Sequence, residues 1–95
     1  MAIAVIATLN VAAGKEVEFE AAMLELAAEV RNNEPGNQLY TLVKDDAGTY
    51  IMMELYESEE ALAAHGKSDH FKAAGAKLGA VMAGAPDIKR MEVIG

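Results

Sequence analysis

The sequence predicts an α+β fold in which one antiparallel sheet carries its helices on a single side, with elements in the order βαββαβ. Three observations predict it. The chain opens on an Ile-, Val- and Thr-rich run, Ala2 to Val11. Two strand-like runs in its middle are joined only by the turn sequence DDAG, the mark of a hairpin. The segments flanking that hairpin carry apolar residues at helical spacing.

The opening strand sets out two faces, Ile3, Val5, Ala7 and Leu9 against Ala4, Ile6, Thr8 and Asn10. Both are mostly apolar, so both sides of this strand are expected to be covered. A helix follows from Gly14 to about Arg31, with Phe19, Ala22, Met23, Leu26, Ala27 and Val30 on one stripe and Glu18, Glu25 and Glu29 away from it. NNEPGN stops it, since Asn suits a helix end and Pro35-Gly36 makes a turn. Asn37 to Lys44 and Thr49 to Glu57 are the paired strands. In the second of these, Tyr50, Met52, Glu54 and Tyr56 share one face and Ile51, Met53 and Leu55 the other.

Ser58 can cap a short helix, with Glu59 and Glu60 at its positive end and Gly66 ending it near His65. Ser68 can cap a second run with the stripe Phe71, Ala74, Leu78, Val81 and Met82, which GAP (Gly84 to Pro86) terminates. Asp87 to Ile94 is the last strand. The order is the ferredoxin-like one, and it leaves one sheet face bare. A second copy of the chain is the simplest cover for that face. Burying ~500 Å² of it per chain would contribute on the order of 10 kcal/mol before association entropy is subtracted. The expectation is a homodimer.

Composition narrows the function. Ninety-five residues read as one domain spanning 1–95, and 53% apolar content fits a globular chain. The absence of cysteine excludes disulfides, thiolate metal sites and cysteine nucleophiles. A net charge of −7 argues against nucleic acid and anionic membranes as partners. The apolar opening has no basic n-region and is too short to span a bilayer, so the expected location is cytoplasmic. GxGxxG, P-loop and GxSxG motifs are missing, so no tightly held organic cofactor is expected.

EPGNQLY (Glu34 to Tyr40), MELYESEEALAAH (Met53 to His65) and SDHFKAAGAKL (Ser68 to Leu78) together resemble the antibiotic biosynthesis monooxygenase domain family. The resemblance runs through nearly the whole chain. It implies a dimeric α+β barrel. It also implies one of several activities: cofactor-free oxygenation of quinols or aromatic polyketides, haem degradation, or isomerisation of a phosphorylated signal. The haem-degrading branch carries an Asn in the first strand, a Trp before the long helix and a His within it as iron ligand. The matching positions here are Ala7, His65 and Gly75, so that route is not expected. Glu-x-Tyr on the third strand followed by an alanine-rich turn ending in His is similar to the quinol monooxygenases and to the signal isomerase. On that resemblance Glu54, Tyr56 and His65 are the catalytic candidates.

The residues themselves bear on these candidates. Five positions apart on one helix, His65 and His70 would point about 140° apart, and a helix broken at Gly66 leaves the angle open; no HxxxH motif is present, so no metal site is expected. A metal would need Glu54, Glu57 or Asp69 as partner. His65, at a helix end and near Glu54, is suited to take a proton from a substrate, against the ordinary reading that it caps a carbonyl. His70 reads as a surface bystander. A covered Glu54 needs a partner, with His65, Arg90 or a tyrosine on offer. Asn10, Tyr40, Met52, Phe71, Gly75 and Met82 are the substrate-binding candidates. The methionines suit a flat apolar ligand, although core filling is the ordinary role of such residues. For Gly75 and Gly79 the favoured alternative is close packing against the first helix.

Three functions follow. One is cofactor-free oxygenation of a quinol, phenol or aromatic polyketide-like molecule, with His65 as base and O2 as co-substrate. Another is isomerisation of a small ketone through an enolate, where a phosphate would need Lys67, Lys72, Lys89 or Arg90. The last is a non-catalytic dimer that binds a small apolar ligand.

Overall fold

A computed structural model describes residues 1–95. Its elements are β1 (Ile3–Leu9), α1 (Glu16–Asn33), β2 (Asn37–Lys44), β3 (Tyr50–Tyr56), α2 (Glu59–Lys67), α3 (Asp69–Leu78) and β4 (Asp87–Glu92). The strands lie in the order β2-β3-β1-β4 and every neighbouring pair is antiparallel. This is the ferredoxin-like α+β arrangement. No helix is long and apolar enough to cross a membrane.

Period-two patterning decides which sheet face the helices cover. Ile3, Val5 and Ala7 of β1 and Tyr50, Met52, Glu54 and Tyr56 of β3 are buried on one side. Phe19, Met23, Leu26, Ala27 and Val30 of α1 close over Ala7, Tyr40, Tyr50 and Met52 together with Ala74 of α3. A smaller cluster of Ile3, Val5 and Tyr56 is covered by Ala61 and Leu62 of α2. The opposite face holds Ala4, Ile6, Ile51 and Leu55, all partly exposed, and Leu39, Met53 and Met91 at 38%, 36% and 40% exposure.

The caps fall where the sequence places them. Ser58 Oγ accepts the Ala61 N–H at 3.1 Å, and Ser68 Oγ accepts the Phe71 N–H at 3.2 Å. Helix α1 begins at Glu16 and not at Gly14, because Gly14 sits at φ +82°, a conformation no helix continues. Helix α2 runs through Gly66 to Lys67, and the chain turns at Ser68 instead.

The run expected to reach Gly84 ends at Leu78. Beyond it, the N–H groups of Val81 and Met82 both reach the Leu78 carbonyl at 3.0 Å. The chain then joins the end of β1 through Ala12 N–H to Val81 O at 2.8 Å and Ala83 N–H to Asn10 O at 2.7 Å. Helical hydrogen bonds give way here to strand-like ones, at a point where Gly79 and the β-branched Val81 favour the helix least. The last strand is also shorter than expected, ending at Glu92, and it is exposed throughout.

Candidate functional site

Alternation along β3 sends Met52, Glu54 and Tyr56 toward the helices. A register shift in β2 brings Tyr40 to them. Asn37 pairs with Tyr56 but Leu39 pairs with Leu55, so one extra residue, Gln38, is accommodated between them. The Asn37 side-chain amide holds the irregularity by donating to Leu39 O at 3.1 Å. Tyr40 therefore lies opposite Glu54 on the helix side, where a regular ladder would have set it opposite Met53.

Between sheet, α1 and α3 lies a cavity of about 240 Å³, with 11 of its 14 lining residues hydrophobic. Glu54 and Tyr40 bring polar groups to its wall. Met52, Phe71, Gly75 and Met82 border it as well, so six of the nine residues nominated from the sequence meet in one place. Ala7, Leu9, Met23, Leu26, Ala74, Leu78, Pro86 and Ile88 complete the lining. A Cβ added at Gly75 would meet nothing within 4 Å. This glycine opens space in the cavity wall and does not serve close packing against α1.

The other three nominated residues lie elsewhere. Asn10 stands outside the cavity, with its amide 3.4 Å from Ala85 O. Tyr56 is fully buried behind the wall, and its hydroxyl donates to Glu54 Oε1 at 2.7 Å. His65 is 4% exposed and does not line the cavity. Its ring packs among Phe71, Tyr40 and Tyr56 with centroids at 4.9, 5.3 and 5.5 Å.

The partner of His65 is not Glu54. Its Nδ1 lies 2.9 Å from Glu34 Oε2, and His70 Nε2 contacts the same oxygen. His70, read as a bystander, is thus joined to His65 through one carboxylate. The break at Ser68 between α2 and α3 makes this possible, because it frees the two rings from the divergence a continuous helix would impose. Arg90, the other partner considered for Glu54, pairs with Glu59. Glu34 gave no signal of its own, since it lies 31 and 36 residues from its partners. Its one local mark is the proline after it, which holds Glu34 out of the helical region at φ −121°, ψ 87°.

Burial governs the electrostatics of the wall. Desolvation pushes the Glu54 carboxyl above its ordinary value, while the Tyr56 hydrogen bond and His65 draw it down and Glu34 pushes it up. Tyr40 is raised by burial first and then by the charges of Glu54 and Glu34. Tyr56 is raised by burial and by Glu54. Both phenols therefore act only as neutral hydroxyls. Glu54 is a carboxylate whose affinity for a proton has been increased, and Oε1 is already occupied by Tyr56.

The family model for antibiotic biosynthesis monooxygenases matches residues 2–77. The chain belongs to the antibiotic biosynthesis monooxygenase family. A solved Caulobacter crescentus protein, provisionally named as one of these monooxygenases, is 47% identical, with 99% of this chain and 91% of that one aligned at a TM-score of 0.95. A conserved protein from Methanosarcina mazei is 26% identical over 97% and 92% of the two chains, with a TM-score of 0.89. SnoaB, a cofactor-independent oxygenase from Streptomyces nogalater, shares the fold at a TM-score of 0.85 and 17% identity, over 99% of this chain and 94% of its own. No curated protein sequence matches the chain at a significant level. In this family member Glu54 and nine further lining residues of the cavity lie inside the matched region, while Leu78, Met82, Pro86 and Ile88 lie beyond it.

Proposed function

We propose that this chain is a cofactor-free monooxygenase acting on a one- or two-ring quinol or phenol, with Glu54 as the base. The observation that carries this is a buried carboxylate of raised proton affinity on the wall of an otherwise apolar cavity. The cavity exceeds the roughly 150 Å³ that holds benzene and falls short of the roughly 300 Å³ of drug-sized sites. That size supports one or two rings over a larger fused polyketide.

Glu54 Oε2 takes the phenol proton, and Tyr40 donates to the phenolate oxygen. The phenolate passes one electron to O2, and the radical and superoxide combine at an ortho or para ring carbon that carries hydrogen to form a C–O bond. The proton on Glu54 converts the peroxide to a hydroperoxide. The carboxylate then removes the hydrogen on that carbon, the O–O bond breaks, and hydroxide leaves to become water. A phenol and O2 thus give a quinone and water, with one oxygen atom in each product. The neutral acid formed on Glu54 in the first step does not repel the substrate anion, and the apolar wall keeps water from the radical pair. His65 is a positioning residue, holding Phe71 and Tyr40 from behind.

The isomerase reading is less supported, because neither lysine nor arginine lines the cavity to hold a phosphate. We also propose that two copies pair through the open sheet face, where Leu39, Met53 and Met91 would be covered. Sedimentation of Leu39→Glu/Met53→Glu then shows a folded monomer and wild type a dimer; a wild-type monomer at micromolar concentration refutes the pairing.

The test of activity is oxygen uptake over a panel of substituted hydroquinones and phenols, with isotopically labelled O2. One labelled oxygen in the quinone, lost together with turnover in Glu54→Gln, supports the reading. Product formed without oxygen refutes it in favour of isomerisation. Ligand bound in the cavity with no turnover of any panel member refutes it in favour of a binding protein.

A further inference from the structure

Outside the cavity, the most concentrated chemistry in the molecule is the contact of Glu34 with His65 and His70. We infer that these three side chains form a site for a first-row divalent cation, with Glu34, His65 Nδ1 and His70 Nε2 as ligands. One ligand atom from each residue lies within 4.8 Å of the other two. Two bonds of about 2.0–2.2 Å to a common ion span at most about 4.4 Å, so the ligand atoms must draw somewhat closer together when an ion binds. Two histidines and one carboxylate are a ligand set that binds zinc with a fourth position open, and imidazole also suits iron, nickel and copper.

A second observation is independent of that spacing. Glu34 has a side chain only 9% exposed, and its Oε1 is buried with no hydrogen-bond partner. Both imidazoles converge on Oε2 instead of sharing the two oxygens. A buried carboxylate oxygen left without a partner carries an uncompensated desolvation cost. A cation between the rings, bound by both oxygens, would remove that cost.

The cluster also has a way in. His70 lines a groove of about 490 Å³ between α1 and α3, whose charged residues are Glu25, Glu29, Asp69 and Lys77. Lys77 is already paired with Glu25 at 2.7 Å, so the remaining charge is negative and draws cations toward His70. On the other side Tyr40 and Phe71 separate the cluster from the apolar cavity. The site is thus distinct from the proposed oxygenase site and stands whether or not that reading does.

The experiment is calorimetric titration of the full chain, stripped with chelator, using zinc as the probe. Nitrogen-15 NMR of the histidine rings follows the same titration. The expected result is one zinc per chain, with His65 Nδ1 and His70 Nε2 signals moving on loading. His70→Ala and Glu34→Gln should each lower affinity at least about 100-fold, the upper end of what loss of an outer partner costs. His70 is partly exposed, so His70→Ala carries the test alone if Glu34→Gln does not fold. Absence of saturable binding at micromolar protein overturns the proposal. So does binding of unchanged strength in a folded His70→Ala chain, or binding that moves neither ring nitrogen.

Discussion

Glu54→Gln separates the carboxylate's charge from its shape. Glutamine keeps an oxygen to accept the Tyr56 hydroxyl, which now lies 2.7 Å from Oε1, and it cannot ionise. The folded carboxyl has its proton affinity raised above the ordinary value of 4.5, chiefly by burial. The unfolded chain therefore loses this proton first as pH rises. Between the ordinary value and the raised one the folded state binds more protons, so stability falls with rising pH. The stability is fully present below the ordinary value and has gone once pH passes the raised one. The steepest slope for one proton is about 1.4 kcal/mol per pH unit. For a domain of this size that is roughly 5–10 °C in Tm per unit. Chemical denaturation of both proteins across pH 4 to 8, at one fixed protein concentration, gives the difference directly. It should be flat at the acid end, grow in favour of the glutamine variant through the window, and level off above it. A difference independent of pH would mean that Glu54 is solvated in the folded protein, and the base assignment would fall with it.

Three further outcomes follow from the same packing. Tyr56→Phe removes the hydroxyl that lowers the Glu54 pKa, so the rising limb of the kcat/KM profile should move to higher pH, with a stability loss of about 1–3 kcal/mol in denaturation. Gly75→Leu places a side chain in empty space on the cavity wall; calorimetry should show higher thermal stability and ligand binding weaker by at least about tenfold. Gly36→Ala would set a Cβ 2.6 Å from Ala61 Cβ, a collision between the turn before β2 and α2 that no side-chain rotation relieves, and should cost about 1–3 kcal/mol by denaturation.

Much of the cavity was legible because it is built on periodicity. A strand with Met52, Glu54 and Tyr56 on one side has to face something, and a helix with Phe19, Met23 and Leu26 on one stripe has to cover it. Tyr40 was a candidate because its hydroxyl can hydrogen-bond a carbonyl or phenol. Its place opposite Glu54 depends on the extra residue at Gln38, which a period-two pattern does not reveal. The end of α3 was misplaced for a related reason. Val81 and Met82 continue the helical stripe in sequence, yet their apolar side chains are satisfied equally well in the core where Met82 bridges to Val11, just past the end of β1. Hydrophobic spacing marks which residues turn inward, and it does not distinguish two backbones that turn the same residues inward.

The histidines show where such reading fails on chemistry. The spacing argument against a His65–His70 pair assumed one helix, and it holds for one helix. Ser68 ends α2 and starts α3 within a single residue, accepting the Phe71 N–H while its own hydroxyl donates to His65 O at 2.7 Å. That corner turns two divergent side chains toward a common point, and Glu34 arrives there from a turn more than thirty residues away. Glu34 and Glu54 then divide the buried negative charge of the protein between two settings. Glu54 has one neutral hydroxyl donor and an apolar cavity, conditions that favour holding a proton. Glu34 faces two imidazole nitrogens, conditions that favour holding a cation. Exchanging the surroundings of these two carboxylates would exchange their chemistry, which is why their assignment rests on tertiary neighbours and not on residue type.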